Sequence, residues 1–123
     1  MKKNWLKNKT VIISGASGGI GFNVAKLLIE KYDCKIIGIA RNEEKIKNAI
    51  KTLGDKASHF SYKLFDVSIK ENWIDFAKYL EGNELMPDIL FNNAGFMHAF
   101  KTLDKISDEE IEEIVKTNFL SYV

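Results

Sequence analysis

The 123 residues are 46% apolar and 28% charged, the balance of a folded domain with a real core and not of a disordered tail. The 18 basic and 17 acidic residues leave a net charge of +1, which provides no field for nucleic acid. No apolar run approaches membrane-spanning length, and no apolar segment of a secretion signal follows the lysines at 2, 3, 7 and 9, so neither export nor insertion is indicated.

Lys9 to Ser14, with Val11-Ile12-Ile13 at its centre, predicts a first strand covered on both faces. The stretch Ser14 to Gly21 then reads Ser-Gly-Ala-Ser-Gly-Gly-Ile-Gly and leads into a helix expected from about Gly19 to Lys31, with Val24, Leu27 and Leu28 as its buried stripe. Gly15, Gly19 and Gly21 can take positive φ or admit another backbone, and free N–H groups at the helix start suit an anion such as a pyrophosphate. Taken alone, the same glycines are also what a tight strand-to-helix connection needs.

Cys34, the single cysteine, opens a second expected strand as a small buried hydrophobe; without an internal partner it fits a reducing cytoplasm. Ile36 to Ala40 forms the body of that strand, and Arg41-Asn42 ends it. Asn42 can cap a helix whose Ile46, Ala49, Ile50 and Leu53 fall on one face, with Gly54 as its stop. Phe60, Tyr62 and Leu64 alternate with polar residues, which predicts a third strand buried on one face and closed by Asp66-Val67. Ser68 and Glu71 have capping-box spacing before a helix with the stripe Trp73, Phe76, Ala77 and Leu80. Pro87 precedes a fourth strand, Asp88 to Asn92. A second capping box, Ser107 and Glu110, starts a helix carrying Ile111, Ile114, Val115 and Phe119, with no stop signal before Val123. That apolar ending reads as the first part of something longer.

Strands alternating with helices at these intervals predict βαβ units: an α/β, Rossmann-like doubly wound parallel sheet, incomplete at about four strands, in one domain over residues 1–123. In such sheets the ligand crevice lies at the carboxyl ends of the strands. Small or polar residues gather at four of those ends: Ser14-Gly15, Arg41, Asp66 and Asn92 to Gly95. Asn118, seven residues after Ile111, places an amide on the stripe of the last helix, where it needs hydrogen-bond partners. His59 and His98 are isolated and form no metal set with one cysteine; His98 reads as a loop residue near the fourth strand end.

Gly15-x-x-x-Gly19-x-Gly21, Asp66-Val67, Asn92-Asn93-Ala94-Gly95 and Asn118, in this order and over nearly the whole chain, resemble the classical short-chain dehydrogenase/reductases, N-terminal half only. The resemblance implies a Rossmann fold holding NAD or NADP and a hydride transfer between the cofactor and a small-molecule alcohol or carbonyl. It further implies that Gly15, Ser17, Gly18, Gly19, Ile20 and Gly21 surround the pyrophosphate and the nearby nicotinamide half. Asp66 would accept from the adenine amino group with the Val67 backbone beside it, and Asn93, Ala94 and Gly95 would line the adenosine ribose. Asn118 takes the catalytic assignment, kinking the last helix and supporting a proton relay.

The residue after the second strand separates the two cofactors, because a carboxylate there suits the ribose 2′-hydroxyl and an arginine the 2′-phosphate. Arg41 stands there with no acid until Glu43, so NADP(H) is expected over NAD(H). The family's acid/base is a tyrosine with a lysine four residues later; none of the four tyrosines has that lysine. The expected function is therefore the cofactor half of a cytoplasmic oxidoreductase. The alternative is a non-catalytic dinucleotide-binding module or a truncated fragment. A homo-oligomer is expected; a third possibility is a truncated chain that folds only by pairing its exposed edge or the apolar last helix with a second copy.

Overall fold

Four strands form one parallel sheet in the order β3-β2-β1-β4 in a computed structural model that describes residues 4–96 and 101–123. The strands are β1 (Thr10–Ser14), β2 (Lys35–Ala40), β3 (Phe60–Leu64) and β4 (Ile89–Phe91). The helices α1 (Gly19–Tyr32), α2 (Glu43–Lys51), α3 (Lys70–Gly82) and α4 (Asp108–Asn118) follow them in alternation. Val11 registers with Ile36 on one side and Ile89 on the other, so β1 is central and the strand order reverses between β1 and β4. This is the α/β architecture that the alternating pattern predicts.

The pleat divides the core. Val11, Ile13, Ile36 and Ala40 face Ala25 and Ile29 of α1 and Ile46 of α2, whereas Ile12, Ile37 and Ile39 face Phe76 of α3. Phe65, Trp73 and Phe76 pack edge-on or tilted against one another around that second layer, and the Trp73 indole donates to the Val67 carbonyl at 2.8 Å. Burying so many Ile and Val side chains on both faces explains why β1 and β2 read as continuous apolar runs.

Five expectations need correction. In α1 the buried row is Gly21, Ala25 and Ile29, while Leu27 is 55% exposed; small residues at i and i+4 let the helix lie close to the sheet, and the larger leucine turns outward. The Ser68–Glu71 capping box does not form. Ser68 instead donates its hydroxyl and N–H to Asp66 Oδ1, at 2.7 and 2.9 Å, and α3 starts later, after Ile69. Ala77 points to solvent, and Leu64, at the end of an edge strand, is exposed.

The last correction concerns α4. The Ser107–Glu110 capping box forms as expected, but Ile111, Val115 and Phe119 are 43%, 42% and 63% exposed. The helix stands off the sheet and its main neighbour is the short 3-10 turn Leu120–Tyr122. It also stops at Asn118 and does not run on to Val123. Among the described residues no helix is long and apolar enough to cross a membrane.

Candidate functional site

The carboxyl ends of all four strands open into one cleft of about 1030 Å³. Its floor is a weld between β1 and the end of β4. The fully buried Ser14 hydroxyl accepts the N–H groups of Asn93 and Ala94 at 3.0 and 2.9 Å. In return the Asn93 side-chain amide donates to the carbonyls of Ser14 and Gly15, both at 3.2 Å. Asn93 and Ala94 are thus committed through their own backbone and amide to holding the glycine turn.

That turn calls for its glycines on two grounds, conformation and close approach. Gly15 sits at φ +66°, a left-handed conformation that side chains disfavour, while its N–H and that of Ala16 bond the Ile39 carbonyl. At Gly21 the reason is close approach: a Cβ there would lie 2.4 Å from the Gly15 carbonyl oxygen and 2.6 Å from Asn93 Nδ2. The chain consequently enters α1 through Gly18, an extended residue with no side chain to cap the helix, and no acidic residue stands in the first turn. The first N–H groups of a helix have no partner inside it. Here they face the cleft, whose lining includes Gly18, Gly19 and Ile20, and the positive end of the helix dipole adds to their pull on an anion.

The cleft extends from the glycine turn across the ends of β2 and β3. Arg41, exposed at the end of β2, and Asp66 with Val67, after β3, line it. Asp66 is held below the ordinary carboxylate range, first by the Ser68 hydroxyl, against the opposing effect of burial, and further by the Ser68 N–H and the charge of Arg41. Its Oδ1 is taken by Ser68, and among the described residues its Oδ2 accepts no hydrogen bond, so an ionised acceptor is available toward the cleft. An adenine amino group is a suitable donor for it.

On the β4 side, Asn118 reaches back from the end of α4 and clamps Phe96 at two points. Its Oδ1 accepts the Phe96 N–H at 2.9 Å, and its Nδ2 donates to the Phe96 carbonyl at 2.8 Å. The amide that the sequence places on a helix stripe is satisfied by the loop after β4, and Gly95 lies against it. Tyr122 donates its hydroxyl to the Ala94 carbonyl from the same side. No tyrosine lines the cleft among the described residues.

The structure therefore brings together Gly15, Ser17, Gly18, Gly19, Ile20, Arg41, Asp66, Val67, Asn93, Ala94 and Gly95 as cleft lining, with Gly21 packed behind the turn and Asn118 behind the β4 loop. His98 lies outside the described residues. Sequence reasoning missed Lys45 and Thr117, which also line the cleft, and the part Ser14 plays as a double acceptor. For Lys45 the signal was present: it follows Arg41 by four residues, on the first turn of α2. Among the described residues no group of His, Cys, Asp or Glu is arranged to hold a metal ion.

Comparison with known proteins identifies the family. Residues 9–123 match the family model described as short chain dehydrogenase. The 3-oxoacyl-(acyl-carrier-protein) reductase FabG of Chlamydia muridarum is 38% identical over 117 residues, which are 92% of this chain and 45% of that protein. Among solved structures, an alcohol dehydrogenase from the archaeon Thermococcus sibiricus, complexed with 5-hydroxy-NADP, superposes with a TM-score of 0.79 at 29% identity, covering 92% of this chain and 48% of that one. The 3-ketoacyl-(acyl-carrier-protein) reductase of Brucella melitensis, complexed with NADH, gives a TM-score of 0.82 at 24% identity, over 95% and 46% of the two chains, a likeness of fold. The chain spans less than half the length of these relatives. With a family model matched over nearly all of its residues and a cleft built at the expected strand ends, this chain belongs to the short-chain dehydrogenase family.

Proposed function

We propose that this chain forms the cofactor site of an oxidoreductase that exchanges hydride between NADP(H) and a small-molecule alcohol or carbonyl. The observation that carries the reading is the bare start of α1: a helix terminus with neither a capping side chain nor an acid, opening into the cleft below a cation at the end of β2. When bound, the nicotinamide dinucleotide supplies the hydride. The residues of this chain bind and orient. The α1 N–H groups take the pyrophosphate, Asp66 accepts from the adenine amino group, and Asn93 to Gly95 line the adenosine ribose. Arg41 pairs with the 2′-phosphate through a charge-assisted fork. Asn118 acts through the Phe96 backbone to keep that loop in register.

Reduction of a carbonyl also needs a proton donor within hydrogen-bond reach. No tyrosine of these 123 residues has a lysine four positions on. A second reading, a dinucleotide-binding module without turnover, is separated from the first by assaying NADPH oxidation with carbonyl substrates in the full chain. The cofactor choice is tested by titrating NADPH and NADH against the wild type and Arg41→Asp. A preference for NADPH of at least about tenfold, lost or reversed in the variant, is expected from one charge-assisted pair. Equal binding of both cofactors, unchanged by Arg41→Asp, overturns the assignment.

A further inference from the structure

Lys45 occupies a position that neither the glycine turn nor Arg41 explains. A Cβ built on Gly18 would lie 3.3 Å from Lys45 Cε and 3.5 Å from its Nζ, so the side chain of this α2 residue reaches across to the mouth of the glycine turn. Its direction is set locally. Asn42 Oδ1 accepts the Lys45 N–H at 3.0 Å, fixing the first turn of α2 from which the side chain leaves. The absence of a side chain at residue 18 leaves the space in which the ammonium lies.

The charges around it are uneven. Glu43 lines the same end of the cleft, but its carboxylate is engaged by Lys47 at 2.8 Å, one turn along the helix. Arg41 and Lys45 both line the cleft, and neither forms an ion pair among the described residues. Arg41 and Lys45 stand four residues apart, and with Glu43 paired and Asp66 the one acid of the cleft lining without an ion pair among the described residues, they constitute a local excess of positive charge facing an open volume. The pyrophosphate, with one negative charge on each of its phosphates, is served by the N–H groups of α1. A pair of cations suits a phosphomonoester, which carries nearly two negative charges at neutral pH.

We propose that Lys45 is a second specificity-determining residue, closing with Arg41 on the ribose 2′-phosphate from above Gly18. The inference rests on the NADP(H) reading and assigns to it a residue that the strand-end argument does not reach. Arg41 supplies a planar fork, whereas Lys45 supplies a point charge on a flexible stem, so the two approach one phosphate from different directions without competing for the same oxygens.

The test titrates NADPH and NADH calorimetrically against the full chain as wild type, Lys45→Met, Lys45→Arg and Arg41→Ala. Lys45→Met keeps the length of the stem and removes the charge. It is expected to weaken NADPH about tenfold, the scale of one charge-assisted contact, and to change NADH less than about twofold. Lys45→Arg is expected to retain most of the preference. Equal weakening of both cofactors overturns the proposal, since it places the ammonium on the pyrophosphate or in the fold. A preference that survives Lys45→Met but falls in Arg41→Ala overturns it while leaving the NADP(H) reading standing. No preference in the wild type removes both. Because Lys45 is exposed and its side chain makes no hydrogen bond or ion pair among the described residues, the melting temperature of Lys45→Met is expected to match the wild type, which keeps the binding result interpretable.

Discussion

The starts of α1 and α4 solve the same problem in opposite ways. At α4 the Ser107 hydroxyl accepts the Glu110 N–H, the Glu110 carboxylate accepts the Ser107 N–H, and Asp108, Glu109 and Glu110 all stand in the first turn. Every available device for satisfying and neutralising a helix N-terminus is present, on a helix whose apolar face is exposed. At α1, which is buried against the sheet, there is neither a cap nor an acid. A helix that leaves its first N–H groups unsatisfied forgoes about 1 kcal/mol of stability that a cap gives elsewhere. In α1 that omission coincides with the cleft at the strand ends. The difference teaches that these two termini are sorted by use: that of α4 is closed internally, and that of α1, facing the cleft, is left for an anion from outside.

The comparison breaks most severely at Gly21. Helix propensity alone would make Gly21→Ala stabilising by about 1 kcal/mol. The contact distances of 2.4 Å to the Gly15 carbonyl oxygen and 2.6 Å to Asn93 Nδ2 argue the reverse, because backbone lies on one side and the weld to β4 on the other. Overpacking at such a point costs about 3 kcal/mol, so the clash is expected to win. Urea unfolding checks it: a loss below about 1 kcal/mol would show that the turn can open without harm. A smaller and more pointed change is Gly18→Asp, which gives α1 the kind of start that α4 has. Gly18 is extended, at φ −177°, so any residue fits the backbone, and the nearest atoms to a new Cβ belong to the flexible end of Lys45. The unliganded protein is expected to gain a few tenths of a kcal/mol, while NADPH binding falls at least about tenfold, because the carboxylate occupies and neutralises the N–H groups meant for the pyrophosphate. Stability and binding moving together in this variant would refute the sorting of termini by use.

Much of this contrast is legible in the sequence, because it depends on local chemistry. Ser107 with Glu110, Asn42 before its helix, and the glycines after Val11-Ile12-Ile13 act over three or four residues, and each forms what its spacing predicts. Failures came where two local signals competed or where a distant partner decided. Ser68 has the spacing for a cap, but Asp66, two residues upstream, offers a stronger ionised acceptor and takes both its N–H and its hydroxyl. Leu27 outranks Ala25 in hydrophobicity, yet the sheet lies so close to α1 that the small residue goes inside. The approach of Lys45 to Gly18 joins two helices that no spacing rule connects, and the Asn118–Phe96 clamp spans 22 residues. For Asn118 the sequence shows that an amide needs partners; only the fold shows which backbone provides them.

The smallest effect is also the one whose sign is fixed most simply. Glu110 is held at about 2, below its ordinary 4.5, first by the hydrogen bond from Lys101 and then by the Ser107 N–H. A folded value below the unfolded one means that the ionised carboxylate stabilises α4 fully above about pH 4.5, and that this contribution is lost as the pH falls toward 2. Glu110→Gln retains an acceptor for the Ser107 N–H but cannot titrate. Its melting temperature is therefore expected to lie below the wild type at pH 6 and to converge with it as the pH approaches 2. A gap that persists unchanged at pH 2 would mean that the charge of Glu110 plays no part. The start of α1, having no acid in its first turn, contributes no such slope in the wild type. The Gly18→Asp variant should acquire one of the same sign, since a carboxylate accepting helix N–H groups is likewise held below its ordinary value. Binding of NADPH should suppress it in that variant only to the extent that the dinucleotide displaces the carboxylate from the N–H groups, which makes the acid slope a measure of which anion the terminus holds.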